Sequence, residues 1–137
     1  MKNFLYISTF MLFAFGNAQT ALYNQGNLRI HENGNIGFHT DLINDGVIDE
    51  NLGLAGFYSA ANILDVSGAF APTFFDTEFM TQNGVLLSTS LNIANNANFV
   101  SGDVLTVRAQ PDATLNFLQN GFSAGESDLS KVNGYAS

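Results

Sequence analysis

Leu87 to Leu105 reads LSTSLNIANNANFVSGDVL, and the spacing of its apolar residues decides the fold. Leu87, Ile93, Phe99 and Leu105 recur every six residues, while Leu91 and Ala97 sit six apart with Asp103 next in their series. That beat is too short for a free-standing up-and-down strand plus its loop. It suits a parallel β-helix, a solenoid whose coils each contribute several short strands joined by tight bends, so that equivalent side chains of successive coils stack. Asparagines at the bends of such a fold can line up in hydrogen-bonded ladders, which accounts for Asn92, Asn95, Asn96 and Asn98 in one window. A β-sandwich with evenly spaced strands is the alternative. Only Leu87 to Asn98 fits the rhythm of left-handed hexapeptide helices, and the handedness stays open.

The rest of the chain reads the same way. After Gln19 there is no sustained helical period. Apolar residues come in short clumps, among them Leu28 with Ile30, Ile36 with Phe38, Leu54 with Phe57, Ile63-Leu64 with Val66, Phe74-Phe75 and Leu115 with Phe117. Short runs of period two bounded by turn formers read as strands. Asn33-Gly34, Asn83-Gly84 and Asn120-Gly121 are the clearest turns, because Asn and Gly tolerate the positive φ that a sharp change of direction needs. From Gly121 to Ser137 the clumping fades and polar residues take over. The expected organisation is therefore a β-solenoid domain over 19–120, followed over 121–137 by a polar loop or the start of a further region.

The N-terminus reads as an export signal. Met1-Lys2-Asn3 is a short basic start, Phe4 to Phe15 is apolar, and Gly16-Asn17-Ala18 sets small residues at the positions a signal peptidase reads. A signal peptide over 1–18 leaves a mature chain of 119 residues with no expected membrane span. In it the basic residues Arg29, Arg108 and Lys131 face twelve acids, a formal charge of −9. Phosphate backbones and anionic lipid call for positive charge, so nucleic acid and acidic membranes are excluded as expected partners. The chain has no cysteine, which removes disulfides, thiolate metal sites, thiol catalysis and a lipid-modified N-terminal cysteine.

Three groups of residues invite a chemical reading. Asn44-Asp45-Gly46 lies within Asp41 to Glu50, and Asp41, Asp45 and Asp49 fall at ligand positions of an EF-hand-type calcium loop. The third and twelfth positions would be Ile43 and Leu52, which cannot ligate through their side chains. The stretch reads first as a turn carrying surface acids, with weak calcium binding as the alternative. His31 and His39 flank the Asn33-Gly34 bend beside Glu32, and a hairpin of 28–32 with 35–39 would bring both imidazoles to one face, although no second acid completes a metal shell. Asp76 and Glu78 are two apart, which on a strand places both carboxylates on one face, an arrangement used in glycan cleavage. The neighbouring Phe74, Phe75 and Phe79 read as core, the chain has no Trp, and Tyr58 is the candidate exposed aromatic. No Gly-x-Ser-x-Gly elbow and no glycine-rich phosphate loop occurs, and the chain is expected not to be an enzyme.

Residues 27–46 (NLRIHENGNIGFHTDLINDG), Gly53 to Tyr58 (GLAGFY), Phe75 to Phe79 (FDTEF) and Asn98 to Thr106 (NFVSGDVLT) resemble the N-terminal region of large secreted surface proteins of gliding bacteria. Those proteins leave by the general secretory route and then cross the outer membrane through the type IX secretion system, using a C-terminal sorting domain. The resemblance covers about 24–137 and carries no catalytic signature. It implies an adhesin-like or gliding-associated module at the cell surface and carries over no catalytic residues; the expected partners are surface glycans or other cell-surface proteins, with the type IX machinery added if the full-length protein carries a sorting domain. No sorting domain is present in this sequence, so the reading is either a fragment or a short relative that stays in the periplasm.

Overall fold

The computed structural model describes residues 20–137. The expected signal peptide, Met1–Ala18, lies outside them. The described chain is all-β and forms two long sheets. One contains β1 (Ala21–Asn24), β3 (Asp41–Asn44), β5 (Leu64–Ser67), β7 (Val85–Leu87), β9 (Val104–Thr106) and β12 (Val132–Asn133), in that order. The other contains β10 (Leu115–Phe117), β8 (Leu91–Ser101), β6 (Thr73–Thr81), β4 (Leu54–Ser59) and β2 (Asn35–Phe38), with β11 (Phe122–Ala124) also on β8. From β1 to β10 successive strands alternate between the sheets, so the chain winds as a parallel β-helix of about five turns. Every strand pairing among the described residues is parallel. That excludes the sandwich, whose neighbouring strands run antiparallel.

The coil repeat differs from the six-residue beat. Phe38, Phe57, Phe79 and Phe99 are register partners on β2, β4, β6 and β8, separated by 19, 22 and 20 residues. The shorter rhythm runs along a single coil: Leu87 ends β7, and Ile93 and Phe99 point inward from β8. It breaks at Leu105. Gly102, at φ 78°, and Asp103 turn the corner, after which Val104 takes the buried position and Leu105 turns half outward. Some strands also outgrow the short ones expected, reaching nine residues in β6 and eleven in β8.

Inward side chains stack coil upon coil. Adjacent rings of the phenylalanine ladder lie 5.0, 5.6 and 5.2 Å apart, and Phe74 packs tilted against Phe38 at 5.7 Å. Leu22, Leu42, Val66 and Leu87 form a parallel column on the opposite sheet, as do Leu64, Val85, Val104 and Val132. Of the asparagines expected in ladders, Asn92 joins one, accepting from the Asn116 carboxamide of the next coil at 2.9 Å. Asn92, Asn95, Asn96 and Asn98 lie within β8 and not at bends. The buried pair near a bend is Asn24 and Asn44: the Asn24 carboxamide donates to Asn44 at 2.7 Å, and Asn44 donates on to the Phe70 carbonyl at 2.9 Å.

Residues 121–137, expected as a polar loop or the start of a further region, carry two more strands that pair onto the solenoid. β11 pairs with β8, β12 pairs with β9, and the Phe117 amide donates to the Ser137 carbonyl at 2.7 Å. Backbone pairing holds this segment to the preceding coil without the apolar clumps that mark the earlier strands.

Two substitutions test the stacking. Phe57, fully buried between two rings, is expected to cost about 3–5 kcal/mol when changed to Ala, read by urea unfolding followed by circular dichroism. The Thr77 hydroxyl is buried beneath the sheet without a partner, so Thr77→Val is expected to stabilise the fold by about 1 kcal/mol in the same assay.

Candidate functional site

The sheet built on β2, β4, β6 and β8 has the longer strands and is the larger of the two, and its outward face carries a group of polar and aromatic residues. Alternation along β6 turns Thr77 and Phe79 inward and leaves Asp76 and Glu78 together on the outer face, as expected for residues two apart. Each carboxylate is held from the next coil. Asp76 accepts from the Asn95 carboxamide at 2.7 Å, and Glu78 accepts from Asn98 at 3.0 Å. Irregular register lets β8 reach them: three steps from Ile93 to Asn96 oppose two from Phe74 to Asp76, so β8 bulges at Ala94-Asn95. From the other side the Tyr58 hydroxyl donates to Glu78 at 3.1 Å. Burial, reinforced by that bond to a carboxylate, raises the Tyr58 phenol above its ordinary pKa.

Tyr58 does not stand up from the sheet. Its side chain lies back over Gly56, where a Cβ would overlap the phenol, with its Cδ2–Cε2 edge over Gly37. Gly37 and Gly56 are register partners on β2 and β4, so their strip of sheet carries no side chains. His39 folds back in the same sense. Its Nε2 would be 3.2 Å from a Cβ on Gly37, and its ring lies 5.5 Å from that of Tyr58 at 33°. The two rings border an open depression of about 350 Å³, completed by Ser59, Ala60, Met80, Gln82 and Ser101.

No family model, curated protein or solved structure matches this chain.

The remaining candidates scatter. The hairpin that would unite His31 and His39 does not form: Gly34 donates to the His31 carbonyl to close a turn, and β2 pairs in parallel with β4 instead of folding back on 28–32. His31 and Glu32 stay exposed at that turn. Asp41, Asp45 and Asp49 do not share a centre. Asp41 accepts the Asp65 amide at 2.8 Å, Asp45 accepts the Tyr23 hydroxyl at 2.6 Å and the Ala69 amide at 2.8 Å, and Asp49 is exposed beyond the turn. Among the described residues no three His, Cys, Asp or Glu side chains come together in a way that could hold a metal ion. Among the same residues no helix is long and apolar enough to cross a membrane.

The sequence reading identified Tyr58, Asp76 and Glu78 but missed the glycine floor and Asn95 and Asn98 as carboxylate partners. A signal was present. Gly37-Phe38-His39 and Gly56-Phe57-Tyr58 repeat one pattern 19 residues apart, and Glu78-Phe79-Met80 and Asn98-Phe99-Val100 continue it around the same phenylalanine column.

Asp45 offers a test of the polar ladders. Its hydrogen bond from Tyr23, then that from the Ala69 amide, lowers its pKa below the ordinary aspartate value of about 3.9. A depressed folded pKa contributes stability that is complete above the unfolded value and is lost as pH falls through the folded one. Asp45→Asn is expected to lose that contribution, so its stability falls less steeply than the wild type's below about pH 4. Acid titration of the urea midpoint checks this.

Proposed function

We propose that the chain is a non-catalytic structural and adhesive module at the front of a secreted cell-surface protein, presenting the outer face of its larger sheet to surface glycans or to other cell-surface proteins. The observation that carries the reading is the locking of outward polar side chains between coils. Tyr58, Glu78 and Asn98 form one chain of bonds, and Thr73, Asn92, Asn116 and Ser137 form another. Such groups are already ordered before a partner arrives, which lowers the entropy lost on binding. The signal-like N-terminus and the resemblance to surface proteins of gliding bacteria support an exterior location.

A second reading, glycan cleavage, has Asp76 and Glu78 on one outer face in its favour. Against it, both carboxylates already accept hydrogen bonds from carboxamides of the neighbouring coil.

One experiment separates them. Purified protein is incubated with immobilised neutral polysaccharides and with cell envelopes of its host, and both retention and released sugar are measured. Saturable retention with no released sugar is the expected result. Release of sugar that disappears in Glu78→Gln would establish the enzyme instead. Protease treatment of intact host cells is expected to remove the protein, and its recovery only in the cytosolic fraction overturns the exterior location.

A further inference from the structure

We infer that the depression beside Tyr58 and His39 is a subsite for one ring of an uncharged sugar. This rests on the adhesive reading above and names the ligand class and the residues that would meet it.

Side chains on a sheet ordinarily stand roughly perpendicular to it. Tyr58 and His39 instead fold back over Gly37 and Gly56, which occupy one register position on adjacent strands. The Glu78 carboxylate then fixes the phenol by its hydroxyl. The rings are therefore supported from below by backbone, and they line an open depression. An aromatic surface held in this way loses little conformational freedom when something packs on it.

A sugar ring carries an apolar face of C–H groups and a rim of hydroxyls. The apolar face matches an aromatic ring, and the rim needs side chains that both donate and accept. Tyr58, His39 and Met80 supply the first kind of surface; Ser59, Gln82 and Ser101 supply the second. The depression, at about 350 Å³, falls at the lower end of the ~300–1,000 Å³ range of small-molecule sites, a scale for a single ring and not for a buried chain.

No Lys or Arg lines the depression, Glu78 sits beside Tyr58, and the whole chain carries a formal charge of −8. An anionic sugar would be repelled. A lone cation could sit on Tyr58, but the lining supplies two rings on one side and not an enclosing cage.

The test follows the aromatic ring signals of the full chain by NMR during titration with neutral oligosaccharides of glucose, N-acetylglucosamine or mannose, with oligogalacturonate as the anionic comparison. At least one neutral series is expected to shift the Tyr58 and His39 signals saturably. Tyr58→Ala is expected to weaken binding about tenfold or more, and Tyr58→Phe to keep it within about threefold. Gly56→Ala, which retains Tyr58 but lifts its ring from the floor, is also expected to lose about tenfold, with circular dichroism unchanged. Neutral sugars that leave both ring signals unmoved, binding indifferent to Tyr58→Ala, or a stronger response to oligogalacturonate would each overturn the assignment. Retention on envelopes without ring shifts would remove this subsite and leave the adhesive reading standing. Ring shifts without retention would do the reverse.

Discussion

The phenylalanine column is the constraint on which the other features depend. Parallel strands fix the register between coils through the backbone, but a backbone ladder alone permits slippage by two residues without turning any side chain to the wrong face. Four phenyl rings at the same register position remove that freedom. Each slipped register would set a phenylalanine against Thr77, Ala55 or Ala97 and open a void where a ring had been. Ring stacking contributes about 0.5–1.5 kcal/mol per pair beyond the burial of its area, so the column both fills the core and selects one alignment. Once it is set, Gly37 must face Gly56, and Glu78 must face Asn98.

The polar groups follow the same logic with different chemistry. In a solenoid, a side chain buried near a corner has its counterpart one coil away, so a carboxamide can satisfy its donor and acceptor along the stack. Asn24 and Asn44 do this, handing the bond on to the Phe70 carbonyl. Asn51 bridges in the same direction, accepting from the Ile30 amide and donating to the Thr73 carbonyl. Outside, Asp41, Asp45 and Asp103 each accept a backbone amide from the coil above. Part of the acidity of the chain is thereby structural. Carboxylates that face the next coil substitute for missing backbone partners at its irregular corners, and this explains why the apparent calcium loop dissolves into separate bonds.

Much of this was legible. The absence of a helical period, the asparagine-glycine bends and the apolar clumps indicated strands and turns, the six-residue beat favoured a solenoid over a sandwich, and Asn33, Gly84 and Asn120 do adopt positive φ at turns. The coil length was not legible from the six-residue beat, because inward positions along one coil recur at nearly that interval and imitate a repeat between coils. The true period is carried by single phenylalanines about twenty residues apart, separated by corners of unequal length. The last seventeen residues were opaque for a different reason. Strands β11 and β12 are held by backbone bonds and bury little, so they leave no hydrophobic signature. The same limit hid the carboxylate partners, since reaching Asp76 from Asn95 depends on a bulge that no local pattern announces.

The site itself arises from contrast between the two sides of one register. Inside, the column repeats phenylalanine on four strands. Outside, the residue preceding it runs Gly, Gly, Glu, Asn across the same four strands, and the residue following it runs His, Tyr, Met, Val along the chain. Where both neighbours are glycine, the following aromatic can lie down; where the position gains a carboxylate, that aromatic gains an anchor; where it becomes asparagine, the carboxylate gains its own partner. A floor, a ring, a tether and a brace therefore occur in sequence across adjacent coils, each placed by the ring beneath it. A repeat kept uniform on both sides would present four identical stripes and no concavity. Uniformity in the core and divergence on the surface are what allow a stacked architecture to hold one particular local shape.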